Sequence, residues 1–233
     1  VLNMCAQLEK EGYRVTYVPV KNDGVVDVEF LKNAVDEDTA LVSIMHANNE
    51  TGVINPVEEI GAFLKERGIP FHIDGVQAAG KIPVDVNKCN CDLYSISAHK
   101  FHGPKGVGAL YVRKGTRMRP LIFGGHQEKG RRPGTENVPG VVGMGKAAEM
   151  AMEHLKDMPK VAALRNKLQN GILSNIKTST LNGAIDKRTP NTVNVSFEFI
   201  EGESILLYLD RKGIFVSTGS ADRKSTRLNS SHT

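Results

Sequence analysis

The segment DLYSISAHKFHGPKGVGALYV, residues 92–112, contains two short apolar runs on either side of a turn rich in glycine and proline. Short apolar runs bounded by such turns are typical of β-strands. A similar run, PFHID at residues 70–74, precedes it, and the connection between them is long enough for a helix. Strands that alternate with helices indicate βαβ units, so the segment predicts an α/β fold with a mostly parallel sheet.

The residues before this segment continue the alternation. RVTYVPV at 14–20 and TALVSIMHA at 39–47 predict two more strands, the second continuously apolar as in a parallel sheet. Asp27 is placed to cap a helix over 28–35. We therefore expect the sheet to begin well before residue 92.

Another helix is predicted between residues 55 and 68. Asn55 is a candidate N-cap, Pro56 suits the first turn, and Glu58 is placed to reach back towards the cap. Gly68 suits the end of the helix, just before the strand at 70–74.

The pattern changes at about residue 138, where two long helical runs replace the strand and helix alternation. We place a domain boundary near 153–158, between the two helical runs. The predicted elements after the change are helices at 138–156 and 159–176, a strand at 192–199, a helix at 203–213 and a strand at 214–217.

The composition excludes several classes of protein. A net charge of +4 over 233 residues is too small and too scattered to indicate nucleic-acid binding. No apolar run reaches the length of a membrane span, so we expect no membrane association. The three cysteines, with Cys89 and Cys91 one residue apart, form neither a disulfide framework nor a zinc motif. They are typical of free thiols in a reducing compartment, which predicts a cytoplasmic protein.

Residues with chemical potential follow two of the predicted strands. Asp74 ends one strand, while Ser97, His99 and Lys100 end the next, and active groups of parallel sheets gather at such ends. Taken alone, Lys100 could be a surface lysine and Asp74 a helix N-cap. Together they fit a pyridoxal phosphate (PLP) site, where a lysine forms a Schiff base and an aspartate keeps the pyridinium nitrogen protonated.

Four motifs carry a resemblance to a known family. They are MHANNETG (45–52), HIDGVQAAGK (72–81), SISAHKFHGPKGVGALYVR (95–113) and GGHQEKGRRPGTENVPG (124–140). In this order they closely resemble the bacterial and mitochondrial cysteine desulfurases that feed iron–sulfur cluster assembly. The resemblance covers residues 1–221 and implies a PLP enzyme of fold type I, with helices on both faces of the sheet, that works as a homodimer on L-cysteine and passes sulfur to a scaffold protein.

The resemblance also implies roles for individual residues around the cofactor ring. Lys100 matches the Schiff-base lysine, and Asp74 matches the partner of the pyridinium nitrogen. Gln77 should bond the phenolic oxygen of the cofactor. Asn49 should lie near that oxygen and the substrate carboxylate.

Three more residues match the phosphate-binding positions of the family. Ser97 and His99 should hold the cofactor phosphate, and Thr135 should reach the phosphate bound by the other subunit. Without the resemblance, Asn49 and Thr135 would be read as residues with ordinary hydrogen bonds in turns.

The loop STGSA at 217–221 matches the approach to the sulfur-accepting cysteine of the family, but Asp222 stands where that cysteine belongs. A carboxylate is a hard oxygen nucleophile and forms no persulfide. We therefore expect this chain to lack turnover. Two alternatives stay open: a selenocysteine lyase or other PLP-dependent β-eliminase, and a non-catalytic fragment. A housekeeping or a nitrogenase-dedicated role is equally open, although GGHQEKGRRPGTENV leans towards the latter.

Both ends of the sequence suggest truncation. The chain begins without methionine inside an amphipathic run, and DRKSTRLNSSH resembles one reading frame of a common sequencing adapter. We interpret 1–155 as part of a large PLP-binding domain and 156–221 as part of a small α+β C-terminal domain. Residues 222–233 are interpreted as a non-native tail.

Overall fold

The structure, a computed structural model, describes residues 2–218. In this range the main sheet consists of β1 (Val42–Met45), β2 (Phe71–Asp74), β3 (Leu93–Ser97) and β4 (Gly108–Val112), and a smaller sheet of β5 (Ser179–Leu181) and β6 (Val195–Phe197). The helices are α1 (Leu2–Lys10), α2 (Val28–Ala34), α3 (Val57–Glu66), α4 (Gln127–Gly130), α5 (Val138–His154), α6 (Met158–Asn175) and α7 (Gly202–Asp210), and 3₁₀ turns lie at Ala98–Phe101 and Leu155–Asp157.

The main sheet has the order β1-β2-β3-β4. The first three strands are parallel, and β4 returns antiparallel to β3. The register pairs Met45 with Asp74, and Asp74 with Ser95. The prediction of a mostly parallel sheet with helices is therefore confirmed, and the carboxyl ends of three strands lie at one edge.

One face of this sheet carries the main hydrophobic core. Alternate residues of the central strands, such as Phe71, Ile73 and Tyr94, pack against buried side chains of α2 and α3. The alternation follows from the pleat, which points successive side chains to opposite faces. The other face of the same strands is polar, and His72 lies between Ser43 and Ser95 at 2.8 Å from each hydroxyl.

The ends of α2 and α3 are set by local sequence. Asp27 caps α2 as predicted, and its carboxylate accepts the backbone N–H groups of Glu29 and Phe30. Gly68 ends α3 with a left-handed backbone, φ +67°, and the following amide donates to the carbonyl of Leu64. This is the Schellman arrangement, in which glycine supplies the conformation that other residues adopt at a cost.

Three local predictions were wrong. Asn55 does not cap α3, because its amide bonds the backbone of Val26 and Met45 and joins two distant segments. Residues 14–20 form no strand, and only Val20 makes an isolated bridge. Residues 214–217 are also non-strand and belong to neither sheet of the described range.

Helix α5 packs against the 3₁₀ turn Ala98–Phe101. Met144, Ala147 and Ala151 of the helix form a buried cluster with Ala98 and Phe101. Close approach depends on glycine in the adjoining loop, since a Cβ on Gly103 would lie 2.8 Å from the Cβ of Ala98. The helix thereby fixes the turn that carries Lys100.

The segment around residues 187–189, in the C-terminal part of the chain after α6, is hydrogen-bonded to the turn that follows β1. Backbone amides of Ile54 and Thr189 donate to the carbonyls of Lys187 and Gly52, at 2.9 and 2.8 Å. The predicted helices at 138–156 and 159–176 are confirmed as α5 and α6, with a break at 155–157. The division into domains at 155 and 156 stays a prediction.

The predicted junction between Ala221 and Asp222, and the tail 222–233, lie outside the described residues. Within residues 2–218, no helix combines the length and hydropathy needed to cross a membrane.

Two helical glycines provide a matched test of this packing. A Cβ on Gly61 in α3 would lie 1.8 Å from the backbone oxygen of Cys89, whereas a Cβ on the exposed Gly171 in α6 meets nothing within 4 Å. We predict that Gly61→Ala lowers the free energy of unfolding by about 2 kcal/mol or more, and that Gly171→Ala raises it by up to about 1 kcal/mol. Urea unfolding measures both, and equal stability of the two variants would contradict the packing described.

Candidate active site

Four of the predicted site residues lie at the carboxyl edge of the parallel strands. Asp74 is the last residue of β2, Ser97 is the last residue of β3, and the 3₁₀ turn after Ser97 contains His99 and Lys100. Because β2 and β3 pair in parallel through Asp74 and Ser95, these side chains share one edge. The sequence prediction that they gather there agrees with this placement.

The Asp74 carboxylate begins the turn that follows β2. Its Oδ1 atom accepts the backbone N–H of Val76 at 3.1 Å, a typical use of aspartate in a turn. The backbone then runs through helical turns, in which Ala78 and Ala79 donate to the carbonyl of Gly75. The N-cap role weighed for Asp74 and a binding role are compatible, because a carboxylate accepts more than one hydrogen bond.

Gln77 lies in this turn next to Lys81. The Lys81 ammonium donates to Gln77 Oε1 at 2.7 Å, across a spacing of four residues. Lys81 is half-buried, and its pKa is lowered by burial and by the positive charge of Lys100. Lys81 therefore contacts Gln77 and lies close enough to Lys100 for the two positive charges to interact.

Ser97 and His99 lie side by side on the rim of the site. The Ser97 hydroxyl is 2.8 Å from His99 Nδ1, and the His99 ring is exposed. The following residue pair, Phe101 and His102, reverses the chain, with His102 in the left-handed region at φ +68°. A hydroxyl and an imidazole so placed are suited to an anion such as a phosphate.

The buried side chains of His46 and Tyr94 form a hydrogen-bonded pair next to the site. Tyr94 donates or accepts a 2.8 Å hydrogen bond with His46 Nδ1, and both rings are buried. The backbone N–H of His46 donates to the carbonyl of Asp74 at 2.8 Å. A Cβ on Gly75 would lie 1.9 Å from the Tyr94 ring, so only glycine fits beside the aspartate.

Burial controls the titration of these aromatic groups. It lowers the pKa of His46 to about 4 and raises the pKa of Tyr94. The pKa of His72, two residues before Asp74, is lowered by burial, with a smaller opposing effect from the Asp74 charge. Neutral imidazoles are thus favoured beneath Asp74 at neutral pH.

Two further predicted residues lie outside the segment 74–100. Asn49 is exposed and donates to the Glu50 carboxylate at 2.6 Å, while its neighbour Asn48 accepts from the backbone of the turn. Thr135 is exposed in the segment 131–137, which is consistent with access from a second subunit. The roles implied for Asn49 and Thr135 stay predictions.

The chemistry of these groups fits PLP. A carboxylate suits the ring nitrogen, a primary amine suits the aldehyde, and a hydroxyl beside an imidazole suits the phosphate. The Gln77 amide adds a donor for the phenolic oxygen. These residues, gathered by the fold from positions 74–100, meet the requirements of the cofactor.

Comparison with known proteins agrees with this arrangement. The family description Aminotransferase class-V matches residues 1–227. The chain belongs to the aminotransferase class-V family. This family and its cysteine desulfurases depend on PLP, which agrees with the cofactor expected from the motifs. The match extends past Ala221, and the interpretation of 222–233 as a tail stays a prediction.

Curated members of the class-V family include close relatives of the chain. "Cysteine desulfurase 2" of Trichormus variabilis is 52% identical over 232 residues, covering 100% of this chain and 58% of the relative. "Cysteine desulfurase IscS" of Methanosarcina thermophila is 53% identical over 233 residues, covering 100% of this chain and 57% of the relative. The chain thus spans well under two thirds of the length of these relatives.

Solved structures of the class-V fold superpose well on the chain. A "NIFS-LIKE PROTEIN" has a TM-score of 0.89 and 47% identity, covering 94% of this chain and 60% of its own. DndA from Streptomyces lividans has a TM-score of 0.81 and 35% identity, covering 91% of this chain and 60% of its own. These likenesses confirm the PLP fold-type I architecture.

The sequence reasoning missed three residues of this class-V site. Lys81 lies four residues after Gln77, and that spacing is a signal for contact within one helical turn. His46 directly follows β1 and Tyr94 lies in β3, 48 positions apart. Nothing in the local sequence around either residue indicates that they meet.

The buried His46 predicts a specific pH dependence of stability. Its pKa is about 4 in the folded chain against 6.5 ordinarily, so between these values the unfolded chain binds a proton that the folded chain does not. Stability is therefore fully present above pH 6.5 and falls as the pH drops towards 4, by at most about 3 kcal/mol. Urea unfolding measures the free energy of unfolding at pH 7 and at pH 5. The decrease between the two pH values should be smaller for His46→Gln than for the unaltered chain.

The control for this experiment is the exposed His126. We expect His126→Gln to retain the pH dependence of the natural chain. An unchanged pH dependence in His46→Gln would exclude His46 as its source.

Proposed function

We propose that the protein is a PLP-dependent cysteine desulfurase, which converts L-cysteine to L-alanine and keeps the sulfur as an enzyme persulfide. The observation that carries the proposal is the placement of Asp74 and Lys100 at one edge of a class-V sheet, with Gln77 between them in sequence. The names of the relatives add the substrate. The activity is proposed for the whole protein, since the chain spans 58% of the Trichormus relative.

We assign the cofactor contacts by chemistry. Lys100 provides the amine for the PLP aldehyde, and Asp74 accepts a hydrogen bond from the ring nitrogen. Gln77 donates to the phenolic oxygen. Ser97 and His99 hold the phosphate, supported by their adjacent polar atoms at the end of β3.

Two more contacts complete the assignment. Asn49 lies on the turn after β1, which begins at the same edge because His46 donates to the Asp74 carbonyl. From there its amide reaches the substrate carboxylate. Thr135 contacts the phosphate bound by the second subunit.

Each residue has a distinct part in the reaction. Bound PLP supplies an electron-withdrawing ring that weakens the bonds to the substrate Cα. The Lys100 amine takes the proton from the cysteine Cα and returns it to form alanine. The Asp74 carboxylate, held in place by the N–H of Val76, would accept the N–H of the ring nitrogen. Ser97 and His99 anchor the opposite end of the cofactor.

Sulfur transfer needs a thiolate. When the Cβ–S bond of cysteine breaks, the sulfur forms an S–S bond with an enzyme thiolate, and the electron pair of the broken bond stays on Cβ, where a proton completes the methyl group of alanine. The position of that thiolate is held by Asp222 in this chain. The buried Cys89 and Cys91 are unsuited to the task, because burial raises their pKa values and keeps the sulfur protonated. The chain as given should therefore bind the cofactor without releasing alanine.

We propose that the protein acts as a homodimer in the cytoplasm. Leu121 and Phe123 are 91% and 84% exposed, and Val138, Val141 and Val142 lie exposed on α5. Apolar groups in such number are typical of a protein interface. The proposed acceptor is a scaffold protein of iron–sulfur assembly, as the IscS relatives suggest.

Cofactor attachment is the direct test of the site. We predict that the chain incubated with PLP and reduced with borohydride gains one cofactor mass on Lys100, identified by peptide mass spectrometry. Lys100→Ala should lose this attachment, because Lys100 is the lysine in the turn after the strand that pairs with Asp74, whereas the Lys81 ammonium is bonded to Gln77. The exposed Lys105 serves as a control, and Lys105→Ala should label normally.

One outcome contradicts the assignment of Lys100, and another contradicts the expected inactivity of this chain. Equal labelling of Lys100→Ala and the natural chain would remove the assignment of Lys100. Release of alanine from cysteine by the unaltered chain would show that Asp222 does not block turnover. Competition between cysteine and selenocysteine in the whole protein separates a desulfurase from a selenocysteine lyase.

The proposed dimer interface is tested by introducing a charged side chain into it. We predict that Phe123→Glu shifts the sedimentation of the chain from dimer to monomer, because a buried carboxylate without a partner is costly. Phe199 is 95% exposed and lies in the C-terminal part, so Phe199→Glu is the matched control and should sediment as a dimer. A Phe123→Glu dimer of unchanged stability would exclude this surface as the interface.

A further inference from the structure

We propose that Lys81 is a positioning residue that orients the Gln77 amide, so that its NH2 group and not its oxygen faces the phenolic oxygen of bound PLP. The inference rests on the proposed function, and it adds a residue to which the motif comparison gave no role. Lys81 does not itself need to touch the cofactor.

The orientation follows from the hydrogen-bonding capacity of lysine. An ammonium group has donors and no acceptor, so the atom of Gln77 that faces Lys81 Nζ at 2.7 Å must be the amide oxygen. The NH2 group then points away from Lys81. The contact therefore selects one of the two orientations that a glutamine amide could adopt.

Packing holds Lys81 in place. Gly80, with φ +75°, lies against Phe101, where an added Cβ would be 2.8 Å from the Phe101 Cβ. Ala79 packs on the same cluster, which contains Ala98 and Phe101. The turn that carries Gln77 and Lys81 is thus packed directly on the turn that carries Lys100.

The partner shown for the Lys81 ammonium group is the Gln77 amide oxygen. Burial and the Lys100 charge both lower the pKa of Lys81, so the ammonium is in an unfavourable place that the Gln77 oxygen partly offsets. Within residues 2–218, Lys81 forms no ion pair with a carboxylate, which is unusual because charged groups are normally paired when buried. A role in orienting the amide accounts for its position.

The orientation matters for the cofactor. An NH2 donor stabilises the ionised phenolic oxygen and lowers its pKa, whereas an amide oxygen in the same place would repel it. Loss of Lys81 should therefore raise the phenolic pKa and weaken PLP binding. A purely structural lysine would change stability without changing that spectroscopic titration.

The test compares Lys81→Met and Lys81→Arg in the 233-residue chain. Lys81→Met removes the donor while keeping much of the side-chain volume, and Lys81→Arg keeps a donor-only group. Lys65→Met is the matched control, because Lys65 donates to the Asn90 amide oxygen at 3.0 Å away from the site. Binding of PLP is measured by fluorescence, and the phenolic pKa by absorbance against pH.

We expect Lys81→Met to bind PLP on the order of tenfold more weakly, as for one lost hydrogen bond to a charged group. Its phenolic pKa should rise, Lys81→Arg should recover much of both effects, and Lys65→Met should match the natural chain. Unchanged affinity and phenolic pKa in Lys81→Met would overturn the inference while leaving the proposed function intact.

A measurement without cofactor separates the two proposals. In the PLP-free chain, the NMR signals of the Gln77 side-chain amide should show restricted motion about the Cγ–Cδ bond. This restriction should be lost in Lys81→Met and retained in Lys65→Met. If the natural chain binds no PLP, the proposed function fails, and the NMR result still decides the Lys81 contact. Equal amide mobility in the natural chain and Lys81→Met would refute that contact.

Discussion

Parallel pairing of β2 with β3 is the constraint on which the site depends. The register places Asp74 beside Ser95, and the chain then needs only two more residues to reach Ser97 and the turn with Lys100. A shift of one residue would send Asp74 to the apolar face, because side chains alternate across a strand. The core under α2 and α3 therefore keeps the acid and the amine on the same side.

Packing around two turns converts this shared edge into a defined site. Helix α5 holds the turn Ala98–Phe101, and Gly80 lets the turn after β2 approach Phe101 closely. Next to them, the Tyr94 ring, which is hydrogen-bonded to His46, occupies the space that a side chain at position 75 would need. Small residues at a few positions thus allow polar groups from different strands to meet.

The turn after β1 links the site to the C-terminal part. Gly52 and Ile54 are bonded to the segment around Lys187 and Thr189, so the loop that carries Asn49 is held from two directions. A displacement of the segment around residues 187–189 would therefore also displace this loop, because the two are joined by backbone hydrogen bonds. The class-V family match and the structural likenesses concern this entire arrangement, not one motif.

The sequence by itself determined the alternation of strands and helices, the parallel sheet, and the placement of Asp74, Ser97 and Lys100 at strand ends. These features depend on local periodicity and on turn residues such as Gly68, which act over a few positions. Only the tertiary structure decided that Asn55 bridges two segments, that residues 14–20 form no strand, and that Lys81 holds Gln77 in a turn packed on Phe101. Those outcomes depend on contacts between distant residues, whose geometry no local pattern specifies.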